Sequence, residues 1–229
     1  MRYDKLILRK RAVIPCAGGV VGSAIARLFA RHGAQIALGL SDIKAGEELL
    51  NEIRALSPMS FAFPCDLRYE DSTRAFCSEV IGRWSTADVL VNYFYVDGAP
   101  DLLDSDESAD DLLFQVYQRT LVLTARAFWP GMLSTGSGAV VNISCSENNI
   151  LSAAGSGTVG GFTRIMAVEG GPRGVRANEI IISRRNGADV ENTDAACVAG
   201  TALFLASGMG EYTSGATIRV GGLRGVSAV

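Results

Sequence analysis

The chain has 229 residues, of which 48% are hydrophobic and 20% charged, and its formal net charge is −3 with an isoelectric point near 5.3. This length and composition allow one sizeable core, and the acidic balance argues against nucleic acid or an anionic membrane surface as the main partner. No apolar run approaches the length of a membrane span, so we predict no membrane association. The five cysteines are odd in number and lack CxxC spacing, which favours a reducing, cytoplasmic compartment.

Short apolar runs alternate with helical patterns along the whole chain. We predict strands over residues 11–15, 34–40, 60–67, 87–96, 138–144, 175–182 and 215–220. We predict helices over residues 22–33, 44–56, 72–84, 109–134 (with a bend near Pro130), 152–170 and 194–207. This alternation predicts a doubly wound, Rossmann-like α/β fold, in which helices cover both faces of a seven-stranded parallel sheet. No linker or repeat divides the chain, so residues 1–229 are predicted to form a single domain.

The only histidine offers no metal chemistry. His32 precedes Gly33 at a predicted helix end, where an imidazole can meet the last carbonyls of the helix. Because no cysteine or histidine cluster surrounds it, we predict no metal site.

Several short motifs follow one another in an order that is typical of a large enzyme family. They are GSAIARLFARHGA, CDL, DVLVN, LTARAFWPGML, GAVVNIS, GFTRIMAVEGGPRGVRAN, ALFLAS and YTSGATIRVGG. Through these motifs almost the whole chain resembles a short-chain dehydrogenase/reductase. The resemblance implies a nicotinamide cofactor and a catalytic Tyr-x-x-x-Lys pair, but this chain departs from the family pattern at each of those positions.

The cofactor loop departs first. The family pattern is TGxxxGxG, whereas the aligned stretch here is PCAGGVVG, with Cys16 in place of the first glycine and only Gly22 in register. The loop glycines let a pyrophosphate approach the backbone at a helix N-terminus, and Val20 adds a branched side chain there. The alternative is that Gly18 and Gly19 partly re-form an anion-binding nest one residue out of register.

The positions implied to contact the adenosine also differ. The end of the second strand, where an acidic or basic residue should meet the ribose, is Leu40. Asp42 lies two residues further on and could substitute only if the loop shifts. Asp66 remains after the third strand, where the family has an Asp near the adenine, but an Asp after a strand is also an ordinary turn residue.

The fourth strand ends in three aromatic residues. Where the family has Asn-Asn-Ala-Gly, this chain has Asn92, Tyr93, Phe94 and Tyr95. Small residues at this point leave room for the nucleotide. Because neighbouring side chains alternate sides in a strand, three consecutive rings cannot all point away from the cleft. We therefore expect at least one ring to occupy cofactor space, and no cofactor to bind this chain.

The catalytic positions differ as well. The family's Asn aligns with Tyr117, and its Ser falls in the run 144–146, most closely at Cys145. Its Tyr and Lys align with Ser152 and Ser156. A phenol has a pKa of about 10 that a neighbouring cation lowers, whereas a serine hydroxyl is much less acidic. Loss of this acid alone costs proton transfer a factor of roughly 10²–10⁴, so we predict no family chemistry at these positions.

Our first hypothesis is a catalytically silent subunit. It would form a hetero-oligomer, expected to be a tetramer, with an active short-chain dehydrogenase subunit that carries the NAD. The expected contact lies across the helices near 109–134 and 152–170. The second helix contains Gly155, Gly157, Gly160, Gly161 and Gly170. These glycines weaken it in isolation and let a partner helix approach closely; alternatively its first turns fray.

The second hypothesis is an enzyme with altered, non-redox chemistry, such as a cyclase, dehydratase or isomerase. Cys145 and Tyr117 would then face the old cleft as nucleophile and acid. No histidine or lysine is evident to activate either group. A third hypothesis, a working NAD(P) oxidoreductase with displaced motifs, has the least support.

Overall fold

The computed structural model describes residues 5–96, 103–146, 150–183 and 192–221. Its strands are β1 (Arg11–Ile14), β2 (Gln35–Leu40), β3 (Phe61–Pro64), β4 (Val89–Phe94), β5 (Gly138–Ser146), β6 (Val175–Ser183) and β7 (Thr217–Val220). Its α-helices are α1 (Gly19–Arg31), α2 (Glu47–Leu56), α3 (Glu70–Trp84), α4 (Glu107–Leu113), α5 (Thr120–Thr135), α6 (Ile150–Gly170) and α7 (Asn192–Ala206). A π-helical stretch, Phe114–Arg119, joins α4 to α5, and short 3₁₀ turns cover Gly171–Arg173 and Gly208–Gly210.

The sheet has seven strands in the order β3-β2-β1-β4-β5-β6-β7, and every neighbouring pair is parallel. The predicted doubly wound α/β fold is therefore confirmed. The strand order reverses between β1 and β4, and in open parallel sheets ligands bind at the carboxyl ends of the strands beside such a reversal. This topology places the candidate site where β1, β4 and β5 end.

The core forms a layer on each face of the sheet because alternate strand residues point to opposite sides. Ile14, Phe29 and Ile180 belong to the layer under α1, α2 and α7. Val13 and Phe128 belong to the layer under α3, α5 and α6. Burial of each such side chain contributes roughly 1.5–3 kcal/mol to the stability of the fold. Because both faces of the sheet are covered, the strands appear in the sequence as continuous apolar runs.

Some predicted element bounds are wrong by a few residues. The first helix begins at Gly19 rather than 22, because Gly19 has φ +72° and turns the chain directly into the helix. The third strand ends at Pro64 rather than 67, consistent with the missing N–H of proline. The predicted helix over 109–134 is interrupted by the π-helical stretch, while α5 continues through Pro130.

None of the helices in the described part of the chain combines the length and apolar character that a bilayer span requires.

Candidate active site

The loop between β1 and α1 presents two open glycines at the start of α1. Gly18 is the N-cap residue and Gly19 the first helical residue, and a Cβ atom on either would meet no heavy atom within 4 Å. Gly22 is different, because its Cβ would lie 2.4 Å from the carbonyl oxygen of Cys16. The glycine that keeps the family register is thus required for packing α1 onto the loop, whatever the loop binds.

A cavity of about 310 Å³ lies beside this loop, and Gly18, Gly19, Ser41 and Asp42 are among the residues that line it. Val20 lines a neighbouring groove of about 440 Å³ between α1 and α7, which shares Gly19, Ser23 and Arg27 with this cavity. The sequence comparison placed the Val20 side chain in the phosphate path. In the structure Val20 is exposed and is not among the residues that line the cavity, so the expectation that its side chain fills that space is wrong.

Leu40 and Asp42, the two positions considered for the ribose contact, are both engaged within the chain. Leu40 is buried, and its side chain packs so close to Gly46 that a Cβ there would lie 2.3 Å from it. Asp42 Oδ1 accepts hydrogen bonds from the backbone N–H groups of Lys44 (2.9 Å) and Ala45 (3.1 Å). It therefore stabilises its own turn, as an Asp after a strand commonly does.

Arg27, which lines the cavity, and Asp66, which follows β3, are also paired. Arg27 Nε donates to Glu52 Oε2 at 2.5 Å, so the guanidinium has a carboxylate partner already. Asp66, the candidate adenine contact, accepts from the Arg68 side chain at 2.7 Å and from the Arg68 backbone N–H at 3.0 Å. Arg68 holds the pKa of the Asp66 carboxyl below its usual range. Asp66 therefore stabilises its own turn in the structure.

The aromatic run of β4 divides between the two faces of the sheet. Tyr93 is buried on the α1 side, the ring of Tyr95 stacks on it at 6.3 Å, and Cys16 packs against the same cluster. The Tyr93 hydroxyl lies 3.7 Å from Cys145 Sγ. Phe94 points to the opposite side, where its ring centroid lies 6.1 Å from that of Tyr117. Two of the three rings thus lie on the side of the sheet that carries the β1–α1 loop.

Burial also raises the pKa values of two ionisable groups in this cluster. It raises the pKa of the Tyr93 phenol well above its usual range, with Cys145 contributing in the same direction. Burial, with a smaller effect from Asp66, raises the pKa of Cys16 to about 11. Both groups stay protonated near neutral pH, so neither is poised as an acid, base or nucleophile.

Ser144, and not Cys145, faces α6. β5 continues to Ser146 in register with β6, so the strict alternation of a strand holds through this run. The hydroxyl groups of Ser144 and Ser156 are 2.9 Å apart and buried. Cys145 points to the other face, towards Tyr93. Ser152 lies in α6, but its side chain is outside the described residues.

Tyr117 lies in the π-helical stretch, buried on the α6 side. Its ring occupies the space beside Gly155, where a Cβ would lie 2.8 Å from the ring. Tyr117 and Cys145 therefore lie on opposite faces of the sheet. The expectation that they share one cleft as acid and nucleophile is wrong, because Cys145 is one residue out of phase with the cleft side of β5.

Lysine is scarce in this chain, and its three lysines, Lys5, Lys10 and Lys44, all lie in the first 44 residues. Lys5 Nζ donates to the Arg31 carbonyl, and Lys10 Nζ lies 3.4 Å from Asp88 at the amino end of the sheet. No ammonium group can therefore stand on α6 beside Ser156.

Buried polar residues form a ladder that the sequence motifs did not reveal. Asn92 Nδ2 donates to Asn142 Oδ1, and Asn142 Nδ2 donates to Thr163 Oγ1, each at 2.9 Å. Glu179, in the centre of β6, is also buried. The sequence did contain an indication of these residues, because each is a polar residue within an otherwise apolar strand. Buried polar groups are usually hydrogen-bonded to other groups in the protein.

The glycines of α6 have two different roles. Gly155 makes room for Tyr117, Gly160 for the carboxylate of Glu179, and Gly170 for the ring of Trp129. Gly157 and Gly161 have no close neighbour: a Cβ on Gly157 meets nothing within 4 Å, and one on Gly161 meets only Arg164 Nη2 at 4.0 Å. The expectation that Gly160 serves a partner helix is therefore wrong, because its own chain fills that space.

His32 follows α1, as predicted, but its backbone N–H, and not its imidazole as expected, bonds to the Leu28 carbonyl. Its Nδ1 lies 3.5 Å from the backbone N–H of Leu6, which ties the N-terminal segment to the helix end. Within the described ranges, no three His, Cys, Asp or Glu side chains come close enough together to hold a metal ion.

Comparison with known proteins places this site in a family context. Residues 18–183 match the sequence profile of a family described as enoyl-(acyl carrier protein) reductase. The 3-oxoacyl-[acyl-carrier-protein] reductase FabG of Staphylococcus epidermidis is 26% identical over 94% of this chain and 98% of its own length. The probable galactose dehydrogenase GalD of Rhizobium meliloti is 30% identical over 76% of this chain and 71% of its own length. For (+)-borneol dehydrogenase 2 of Salvia officinalis, 24% identical, the match spans 75% of this chain and 63% of the relative.

Solved structures share the fold. The L-sorbose reductase of Gluconobacter frateurii, solved with NADPH and L-sorbose, superposes with a TM-score of 0.83 at 20% identity, over 96% of this chain and 97% of its own. The hydroxysteroid dehydrogenase of Escherichia coli gives 0.82 at 23% identity, over 95% and 97%. At this identity the likeness establishes the architecture alone.

Proposed function

Because the chain belongs to the short-chain dehydrogenase/reductase family of oxidoreductases, we propose that it is a catalytically silent subunit that supports an active NAD-dependent alcohol dehydrogenase subunit of the same fold. One observation carries the proposal. Ser156, at the position of the family's lysine, is a buried serine whose hydroxyl is hydrogen-bonded to Ser144, and no lysine follows Lys44 in the sequence.

The family reaction requires an acid whose pKa is lowered by an adjacent cation. Neither half of that pair is present, since serines replace both the phenol and the ammonium. The Ser144–Ser156 hydrogen bond joins two neutral hydroxyls, and no hydrogen bond in the described part of the chain links either one to a cationic side chain. Proton transfer to a carbonyl oxygen therefore lacks its donor.

The same proposal holds that NAD is bound by the partner subunit and not by this chain. The residues around the cleft do not suit a dinucleotide, since Leu40 offers no hydrogen bond to a ribose and Asp42 caps its own turn. Tyr93 and Tyr95 add two stacked rings on the side of the β1–α1 loop. No step of hydride transfer is assigned to this chain.

The outer face of α6 supports the assembly. Gly157, Gly161, Ile165 and Val168 follow one another at helical spacing, so they share one face. Ile165 is 58% and Val168 71% exposed, and the two glycines leave the backbone open to a neighbour. Apolar side chains beside small residues suit a closely packed partner helix, because interaxial distance depends on side-chain size.

In this proposal the chain resembles the inactive subunit of the heteromeric 2-[hydroxy(phenyl)methyl]succinyl-CoA dehydrogenase of anaerobic toluene degradation. By that resemblance the complex is a tetramer, and an acyl-CoA thioester is the substrate class of the active subunit. The active subunit would supply an intact TGxxxGxG loop and the Tyr-x-x-x-Lys pair.

Co-expression with short-chain dehydrogenases encoded beside this chain tests the proposal. We expect this chain to co-elute with one of them in size-exclusion chromatography and to raise that partner's NAD-dependent activity or stability. In the complex, replacing the partner's catalytic tyrosine should abolish turnover completely. A chain that remains monomeric with every candidate, or a complex that retains turnover without that tyrosine, would overturn the proposal.

A further inference from the structure

The groove of about 440 Å³ between α1 and α7 has space for a small molecule. Its α7 wall is made of alanines, Ala195, Ala196 and Ala199, whose short side chains leave room between the two helices. Small-molecule sites in proteins typically have volumes of about 300–1,000 Å³, and this groove falls within that range. The residues that line it then decide what kind of ligand it suits.

The α1 wall of the groove has an apolar row beside a polar one. Residues four apart lie on one side of a helix, so Val20, Ala24 and Leu28 form a continuous apolar row. At about 1.5 Å per residue, the whole wall extends for about 18 Å along α1. This shape suits an elongated ligand with an apolar chain and a polar head group. The polar row consists of Gly19, Ser23, Arg27 and Arg31.

Both charged residues that line the groove are arginines. Arg27 already has a partner, because Glu52 accepts from its Nε at 2.5 Å and from its Nη2 at 3.3 Å. Glu52 also acts on Arg31, but it does not line the groove. Arg31 is exposed in the last turn of α1, and its guanidinium forms no ion pair with a carboxylate in the described part of the chain. Arg31 is therefore the cation that this groove offers to a ligand.

We propose that the groove binds a single-chain amphiphilic anion of the class of long-chain carboxylates. The hydrocarbon chain lies between the apolar row of α1 and the alanines of α7, and the carboxylate pairs with Arg31. Removal of the chain from water supplies most of the binding free energy, because an exposed ion pair contributes little by itself. Arg31 selects the sign of the head group, through the paired N–H groups with which a guanidinium meets a carboxylate.

This site is separate from the proposed subunit contact. α1 and α7 cover one face of the sheet, whereas α6 covers the other. A partner on the outer face of α6 does not cover the groove, so the isolated chain is sufficient for the test. Ligand binding and assembly are measured independently, and either one can fail without the other.

Calorimetric titration of the full chain with dodecanoate, kept below the concentration at which it forms micelles, tests the proposal. We expect saturable binding. Dodecyltrimethylammonium has the same chain with the opposite charge, and acetate has the head group without the chain, so neither should bind saturably. Absence of saturable dodecanoate binding overturns the proposal. Equal binding of the two amphiphiles also overturns it, because it would mean adsorption to apolar surface without selection of the head group.

Two variants on α7 locate the bound chain. Ala196 is exposed, so Ala196→Phe should keep the fold and fill the groove, and we expect it to abolish dodecanoate binding. Cys197→Phe places the same ring at the next exposed position, which does not line the groove, and should bind as the wild-type chain does. Binding that persists in Ala196→Phe, or is lost in Cys197→Phe, overturns the site. Loss of a dimer in an Ala196→Phe chain that still binds dodecanoate would assign the groove to a second copy of the chain.

The head group is tested at Arg31. Arg31→Ala should weaken dodecanoate binding by roughly fivefold, the effect of losing a favourable exposed ion pair. Arg126→Ala removes another exposed arginine, on α5 and the opposite face of the sheet, and should leave the dissociation constant unchanged. Equal effects of the two substitutions, or no effect of Arg31→Ala, would show that Arg31 does not hold the carboxylate and would overturn the proposal.

Discussion

The two faces of α6 contrast sharply in what they contact. On the inner face, Gly155 and Gly160 are covered by Tyr117 and Glu179 of the same chain, and Ser156 is bonded to Ser144. On the outer face, Gly157 and Gly161 are followed by the exposed Ile165 and Val168, and among the described residues a Cβ on either glycine would meet nothing closer than Arg164 Nη2 at 4.0 Å. The inner face is the one on which the family's Tyr-x-x-x-Lys pair would act.

The contrast indicates which property of this helix has been retained. On the inner face, a serine stands at the position of the family's lysine, and Gly155 and Gly160 are closely packed by the same chain. The outer face has the small residues and exposed apolar side chains that the proposed subunit contact requires. Variants that act on one face only can therefore separate the folding of this chain from its assembly.

The largest expected effect is on the outer face. Gly161→Leu adds a bulky side chain where a partner helix is proposed to approach, so we expect complete loss of co-elution with the active subunit. This chain alone should stay folded, and gain about 0.5–1 kcal/mol because leucine favours a helix over glycine. Size-exclusion chromatography and urea denaturation measure the two quantities. The matched control is Gly82→Leu on the exposed side of α3. A Cβ on Gly82 also meets no heavy atom within 4 Å, and this variant should leave assembly intact.

On the inner face, Gly160→Leu should do the opposite of Gly161→Leu. Its side chain would collide with the Glu179 carboxylate, so we expect the free energy of unfolding to fall by about 1–3 kcal/mol. Equal stability of the Gly160→Leu and Gly161→Leu chains would show that the two faces do not differ in the way described here.

Much of the fold could be predicted from the sequence, because buried parallel strands leave continuous apolar runs that alternate with helical patterns. The side chains that meet at the site could not. Whether Ser144 or Cys145 faces α6 depends on where β5 stops alternating, and the sequence does not show that β5 runs on to Ser146. Likewise, a glycine in a helix looks the same whether a partner or its own chain fills the space beside it, as at Gly160 and Gly161.

Removing the buried carboxyl should have a smaller and pH-dependent effect. Burial raises the pKa of Glu179, so the unfolded chain ionises before the folded one as pH rises; the free energy of unfolding of Glu179→Gln should therefore rise relative to wild type by about 1.4 kcal/mol for each pH unit between the unfolded-state and folded-state pKa values. The difference should disappear as the pH falls to the ordinary glutamate range, where the wild-type carboxyl is neutral in both states. Urea denaturation at several pH values measures it, and a difference that is constant with pH would contradict the assignment of the effect to ionisation.

Restoring the family's catalytic pair should have no effect on activity. We expect Ser152→Tyr combined with Ser156→Lys to show no NAD-dependent turnover. The new tyrosine could supply a proton, but the reaction also needs a hydride from a cofactor bound beside it. Steady-state assays of the isolated double variant measure this. Clear turnover would mean that the cleft accepts the cofactor despite Tyr93 and Leu40.

Calorimetric titration of the isolated wild-type chain with NAD⁺ and NADPH tests most directly whether this chain has a nicotinamide site of its own. A related reductase with an intact TGxxxGxG loop provides the positive control under the same conditions. We predict no saturable heat for this chain with either nucleotide, because Leu40, Asp42 and the Tyr93–Tyr95 stack replace the groups that a dinucleotide needs. A dissociation constant in the low micromolar range for either one would contradict the assignment of a silent subunit.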